Sequence, residues 1–162
     1  MTLEQRFSKL KKPSGIRQIA DLYMQCYLQG DHTYIRQIMD ENIGYDVPNT
    51  GLLNANPKIC TETSGARNVL DVFVTYRQKM ENIRFEIRNQ FMTKNTAYFD
   101  ILLHYEQCGR YLCGGHENER YHITLPVNTV LTVQKNRVIR HHDYIDYSVI
   151  YKQIQSQTPG VA

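Results

Sequence analysis

The spacing of the apolar residues changes near Glu81, and this change restricts the folds that the chain can adopt. Before Glu81, apolar residues recur every three or four positions, which is the period of a helix with one buried face. From Ile83 onward, apolar and charged residues alternate, which is the period of a half-buried strand. Helices followed by strands predict an α+β domain whose helices pack on one face of an antiparallel sheet.

Start and stop signals give the predicted elements their bounds. Pro13-Ser14 precedes the first helical pattern and Gly30-Asp31 follows it, as at helix ends. We expect helices over 16–29, 33–39 and 65–80, a short strand over 42–48, and strands over 83–88, 96–106, 121–133 and 138–147, with a break or bend at Pro126. The third helix has Ser64 as its expected cap. A single domain over 14–152 would then lie between flexible tails over 1–13 and 153–162.

Composition and charge argue against several classes of function. The net charge of +3 is mild and the basic residues are scattered, so we expect no nucleic-acid partner. The sequence has no apolar signal region and no run of about 18 apolar residues, so we expect no membrane contact and a cytoplasmic protein with reduced cysteines. Cys108, Cys113 and His116 could suggest zinc, but the glycines among them suit a hairpin tip. We therefore expect no metal and no cofactor.

The most informative polar residues lie in the last predicted strand. The run Arg140-His141-His142-Asp143-Tyr144 puts charged groups where a buried strand should be. Buried polar groups need partners, so this segment is the expected wall of a pocket. Because side chains alternate along a strand, His141 and Asp143 share one face and His142 points to the other.

Several short motifs give the chain a family resemblance. The order of the elements, Gly30-Asp31, the run Tyr45-Asp46-Val47-Pro48 and the closing run 142–146 together resemble the SnoaL-like branch of the nuclear transport factor 2 superfamily. The resemblance covers about 16–151. It implies a cystatin-like cone, in which a curved antiparallel sheet wraps the N-terminal helices around an internal pocket, and a homodimer formed through the outer sheet face.

The same resemblance leaves two functions open, because this superfamily contains isomerases, hydrolases, dehydratases and cyclases as well as members that only bind or dimerise. One is an acid–base enzyme acting on a small apolar or polycyclic molecule. The other is a non-catalytic ligand-binding or dimeric accessory domain.

Two enzyme families within the superfamily supply candidate site residues. By resemblance to limonene epoxide hydrolase, Asp143 and Asp100 match its two acids and Tyr45 its water-positioning tyrosine, while Tyr98 stands where that family has an arginine. Two acids in one dry pocket without that cation would share a proton, which raises the pKa of one of them.

By resemblance to ketosteroid isomerase, Tyr23 and Asn128 match the two oxyanion donors. The position of the base in that family is occupied by Val47, one residue after Asp46. In a strand, this offset turns the side chain to the other face.

These considerations give one candidate set. Asp143, Asp100 and Tyr23 are the predicted catalytic residues, and Tyr45, Asp46, Asn128, His141, His104 and Tyr98 are the predicted substrate-binding residues. His104 is included because it shares a strand face with Asp100. The alternative, that these are hydrogen-bonded sheet or dimer-interface residues, stays open.

Overall fold

The computed structural model describes residues 15–47 and 62–158. Within these residues the helices are α1 (Ile16–Gln29), α2 (His32–Ile38), α3 (Ala66–Gln78) and α4 (Tyr147–Gln157). The strands are β1 (Met39–Asp46), β2 (Glu62–Ser64), β3 (Met80–Met92), β4 (Thr96–Cys108), β5 (Arg120–Gln134) and β6 (Arg137–Ile145). The α+β class is confirmed, and the elements from α1 to β6 follow the predicted order apart from the additional short strand β2. Helix α4, which follows the last strand, was not predicted. The predicted N-terminal tail lies outside the described residues.

The six strands form one curved sheet in the order β2-β1-β6-β5-β4-β3. The last four strands make the predicted antiparallel meander. The sheet is nevertheless mixed, because β1 runs parallel to β6, with Tyr45 opposite His141. The alternating apolar period identifies a strand but carries no information on its direction, so this pairing was not predicted.

Alternation along β4 and β5 defines two faces of the sheet. Phe99, Ile101 and Tyr105 are buried on the inner face, beneath α1, whose Ile19 and Met24 are fully buried in the same core. Asp100, Leu102 and His104, which alternate with the inner-face residues of β4, point to the outer face. Each residue of these strands therefore belongs either to the interior or to the outer face.

The bounds of the helices follow from local backbone geometry. Gly30 ends α1 in the left-handed conformation with φ of 73°, and Asp31 begins α2 by accepting a hydrogen bond from the Tyr34 N–H. A Cβ atom at Gly30 would lie 2.5 Å from Nε of Arg77, so this position needs glycine for space as well as for φ. The cap of α3 is Gly65 rather than the predicted Ser64.

The C-terminal segment differs from the expectation of a flexible tail after residue 152. Helix α4 continues to Gln157, and Ile154 is 1% exposed. Gln153 exchanges two hydrogen bonds of 2.8 Å with the backbone of Thr124, and Gln157 does the same with His122 at 2.9 and 2.8 Å. The segment looks like a tail in sequence because amide groups, not apolar ones, supply much of its attachment.

The predicted break at Pro126 does not occur. Strand β5 passes through Pro126, which lies opposite Leu102 of β4, and β6 pairs with β5 only from Val127 onward. Proline is tolerated here because it lies where β5 has lost its β6 neighbour.

Candidate functional site

A cavity of about 610 Å³ lies between the inner face of the sheet and helices α1, α3 and α4. Its walls are mostly aliphatic and aromatic, and an unusual number of the lining side chains carry a phenol group: Tyr27, Tyr45, Tyr76, Tyr105, Tyr111, Tyr147 and Tyr151. Such a surface combines apolar contact with hydrogen-bonding capacity at ring edges.

The carboxylate of Asp143 is the most heavily hydrogen-bonded group of the cavity wall. It is 1% exposed and accepts bonds from Thr129 Oγ1 at 2.6 Å, Tyr27 at 2.9 Å and Tyr45 at 3.3 Å. His141 Nε2 lies 2.9 Å from its Oδ1. Four donors match the roughly four lone-pair sites of a carboxylate, so Asp143 is saturated in this arrangement.

His141 continues this network away from the cavity. Its ring is fully buried, and its Nδ1 lies 3.0 Å from the hydroxyl of Tyr23. The carboxylate of Asp143 can only accept a hydrogen bond, so we infer that Nε2 of His141 carries the proton and donates it to this bond. Nδ1 of His141 then accepts a hydrogen bond from the Tyr23 hydroxyl. Tyr23, His141 and Asp143 thus form a directed chain, with the rings of Tyr27 and Tyr45 packed edge-on against the imidazole.

Electrostatics keep Asp143 ionised. Burial acts to raise its pKa, but the electrostatic interaction with His141 and the hydrogen bonds from His141, Thr129 and Tyr27 together outweigh burial, and the pKa lies below its usual value. Burial, followed by the charge of Asp143, raises the pKa of Tyr23, Tyr27 and Tyr45 well above the usual value. These three phenols therefore stay protonated and act as donors.

Four of the predicted site residues come together in this network. Asp143 and Tyr45 line the cavity, while Tyr23 and His141 are buried behind them in its wall.

The expected pair of Asp100 with Asp143 does not form. Asp100 lies on the outer face, where it accepts a hydrogen bond of 2.5 Å from Arg88. Asn128, its neighbour on β5, accepts one of 2.5 Å from Tyr98 on the same face. The expectation that a second acid raises a carboxyl pKa is therefore wrong, because the imidazole of His141 and not a second acid stands beside Asp143.

Two further candidates also face outward. His104 lies 3.0 Å from the Thr124 hydroxyl on the outer face of the sheet. Its neighbours Leu103 and Tyr105 line the cavity, which is on the inner face. Asp46 lies against His142, since the inward direction of Tyr45 forces its neighbour outward. The sequence predicted the strands of these residues correctly but not the faces.

Tyr27 and Thr129 were missed as site residues. Tyr27 follows Tyr23 by four positions, so the two lie on one face of α1, and this spacing could have indicated it. Thr129 stands opposite Asp143 in the β5–β6 register, which no local pattern reveals. Among the residues described, no group of three or more His, Cys, Asp or Glu side chains could hold a metal ion, and no helix is long and apolar enough to cross a membrane.

A curved sheet around a long helix, with a buried site on its inner face, defines a class of cone-shaped α+β pocket proteins. Solved structures identify the fold more closely as the one shared by SnoaL-like and NTF2-like proteins. No protein-family profile matches the sequence, and no curated protein matches it.

Three structures represent the range of this likeness. A proposed SnoaL-like polyketide cyclase from Shewanella putrefaciens has 18% identity and a TM-score of 0.73, over 87% of this chain and 96% of that one. An LEH-like epoxide hydrolase from M. tuberculosis has 9% identity and a TM-score of 0.62, over 85% and 87%. TerC, co-crystallised with polyporic acid, has 12% identity and a TM-score of 0.64, over 85% and 95%. At these identities the likeness establishes the fold alone.

Proposed function

We propose that the cavity binds a small, largely apolar molecule with an aromatic or polycyclic body, and that Asp143 transfers a proton on it. The observation that carries this proposal is a buried, ionised carboxylate in the wall of a tyrosine-lined cavity. Charged groups in such walls are a frequent mark of acid–base sites. The fold likeness to a proposed polyketide cyclase and to a protein co-crystallised with polyporic acid supports a ligand of this kind.

The longest of the four contacts to Asp143 suggests how a ligand gains access to the carboxylate. Tyr45 is 3.3 Å from Oδ2, so a ligand carbonyl can take over its hydrogen bond at the lowest cost. Oδ2 then removes a proton from the carbon beside that carbonyl, the C–H electron pair moves toward oxygen, and Tyr45 donates to the resulting enolate. Where a C=C bond of the ligand adjoins that carbon, return of the proton to the far end of the C=C bond completes an isomerisation. Attack of the enolate on a second carbonyl of the same ligand forms a ring instead, and Asp143 gives its proton to the new alkoxide.

Deuterium exchange tests the chemistry without knowledge of the natural substrate. The probe is β-tetralone, an aromatic ketone small enough for the cavity, followed by proton NMR in deuterated buffer. The wild-type protein should exchange the protons between ring and carbonyl faster than buffer does, and Asp143→Asn should fall to the buffer rate. Asp100→Asn, an acid-to-amide change on the outer face, is the matched control and should keep the wild-type rate.

Circular dichroism establishes that each variant is folded before its rate is compared. Wild-type exchange no faster than buffer, or an Asp143→Asn variant as fast as wild type, would contradict proton transfer by Asp143.

The saturation of Asp143 favours a second candidate, a non-catalytic ligand-binding domain. A carboxylate with four donors and a low pKa is a weak base and an effective organiser of Tyr27 and Tyr45. In that case β-tetralone contacts should appear in ligand-observed NMR without any exchange.

We also propose that the chain forms a homodimer through the outer face. Phe91 is 58% exposed and stacks on Tyr98 with ring centroids 4.7 Å apart, and Tyr144, which pairs with Asn128, is exposed on the same face. Exposed apolar side chains of this size commonly mark an interface. Light scattering at micromolar concentration should give twice the monomer mass.

The free thiols of Cys26, Cys108 and Cys113 support the expected cytoplasmic location.

A further inference from the structure

The charges that line the cavity do not balance. Arg77, Lys79 and His32 are basic side chains of its wall, and Asp143 is the one acid among the lining residues described. Asp143 is already engaged by four donors, including His141. It therefore leaves no acceptor for the other basic groups.

Arg77 is the basic group of the wall whose dehydration costs the most free energy. It is half-buried at the end of α3, and one of its N–H groups donates to the Leu28 carbonyl at 2.6 Å. It forms no ion pair with any acid in the described part of the chain, and burial lowers its pKa. A partly dehydrated guanidinium whose remaining N–H groups lack a carboxylate is well suited to an anion, which it binds through a planar fork.

His32 supplies a second, independent observation. Its Nδ1 atom is buried and has no hydrogen-bond partner in 15–47 or 62–158, although buried polar atoms are nearly always paired. The ring lines the same cavity, and its pKa is lowered by burial and then by the charge of Arg77. The Arg77 charge therefore acts on the same part of the wall as this unpaired nitrogen.

Lys79 extends the positive charge along the wall. Its ammonium lies 5.9 Å from the ring centre of Tyr76 and 5.7 Å from that of Tyr111. These ring faces hold the cation without neutralising it. Of the 16 Asp and Glu residues of the sequence, only Glu4 lies outside the described ranges, so that part of the chain adds at most one counter-ion.

We propose that the ligand of this cavity is an organic anion, whose carboxylate or comparable acidic group is bound by Arg77 with His32 and Lys79 beside it. This inference rests on the proposed ligand-binding function and adds the chemical class of the ligand. The charge of Asp143 repels the acidic group and directs it to Arg77. The aromatic body then lies against the tyrosine rings, with its neutral part facing Asp143.

Two fluorescent probes that differ only in one charged group test the proposal. Anilinonaphthalene sulfonate carries an anionic group, and phenylnaphthylamine is the same ring system without it. The wild-type protein should bind the anionic probe more tightly by about tenfold or more, the scale of one hydrogen-bonded charge. Arg77→Gln should lose most of this preference and keep its affinity for the neutral probe. Arg77→Lys, which retains the charge, should keep part of the preference.

Arg67→Gln is the matched control, because Arg67 is an exposed arginine on the same helix. It should bind both probes as the wild type does. Equal affinity of the wild type for both probes would overturn the anion class while leaving the ligand-binding function in place. Binding of neither probe would overturn both. An Arg67→Gln variant that loses the preference as Arg77→Gln does would also overturn the assignment to Arg77.

Discussion

At the scale of the residue, Asp143 shows how a carboxylate can be buried and stay charged. Each of its oxygens accepts two hydrogen bonds, from His141 and Thr129 on one side and from Tyr27 and Tyr45 on the other. The network offsets a desolvation penalty that would otherwise neutralise the group. Three of these partners lie outside β6, and two of them are 116 and 98 positions away in sequence, so the carboxylate connects α1, β1 and β5 to the last strand.

Asp143→Asn should therefore destabilise the protein strongly. An amide presents a donor where the carboxylate accepts, so at least two of the four hydroxyl and imidazole donors lose their partner. We expect a loss of about 3 kcal/mol in the free energy of unfolding, measured in urea.

Asp100→Asn is the comparison for that measurement. It breaks the ion pair with Arg88 on the outer face, which should cost less than about 1 kcal/mol. Similar losses for the two variants would contradict the structural role given to the Asp143 network.

The same network predicts a dependence of stability on pH. The pKa of Asp143 is lower in the folded protein than the value of about 3.9 for an unfolded chain. The contribution of the ionised Asp143 to the free energy of unfolding is therefore complete above the unfolded value of about 3.9. It is lost as the pH falls through the lower pKa of the folded protein. The difference in unfolding free energy between wild type and Asp143→Asn should be constant near neutral pH and shrink below about pH 4. A difference that grows on acidification would contradict an ionised Asp143.

At the scale of the element, helix α4 is attached to the sheet by side-chain amides. Gln153 and Gln157 pair with alternate residues of β5, Thr124 and His122. The match is geometric, because four residues of helix rise about 6.0 Å and two residues of strand about 6.6 Å. The two glutamines thus act on β5 as a neighbouring strand would, at the place where β6 has ended.

Replacing both glutamines should loosen α4 and with it one wall of the cavity. In Gln153→Ala/Gln157→Ala the amide hydrogens of His122 and Thr124 should exchange at least about tenfold faster, since each loses its acceptor. Gln155→Ala, an exposed glutamine of the same helix, is the control and should leave both rates unchanged. Hydrogen exchange followed by NMR measures both variants and the wild type. Unchanged rates in the double variant would show that the glutamine pairs do not hold the helix.

The elements could largely be predicted from the sequence, and the faces of the strands only in part. Period and capping signals place α1 at its observed bounds and β4 within two residues. Whether Asp100 faces the cavity or the outer side depends on the phase of β4, and both phases of that strand carry apolar residues, such as Phe99 and Leu102. Helix α4 escaped prediction although Tyr147, Ile150, Tyr151 and Ile154 recur at helical spacing, because the predicted last strand runs to residue 147 and the glutamines that follow are typical of a solvated segment.

At the scale of the whole molecule, the sheet is arranged so that the cavity belongs to no single part of the chain. Tyr27 and Tyr45 come from the first third of the sequence and Asp143 from the last, at separations of 116 and 98 positions. Arg77 comes from the middle. The site therefore depends on the folding of the entire domain, because local unfolding in any third of the sequence removes one wall of the cavity.

The parallel pairing of β1 with β6 also has a consequence for folding while the chain is still being synthesised. While the chain is being synthesised, β1 leaves the ribosome long before its partner exists and must wait until the segments from β2 to β5 have been made. Pairings across such separations are slow to form, since the intervening chain must first be brought together. The nascent chain therefore carries an unpaired strand edge and an incomplete cavity until β6 has emerged, and only a chain that includes β6 can recognise a ligand.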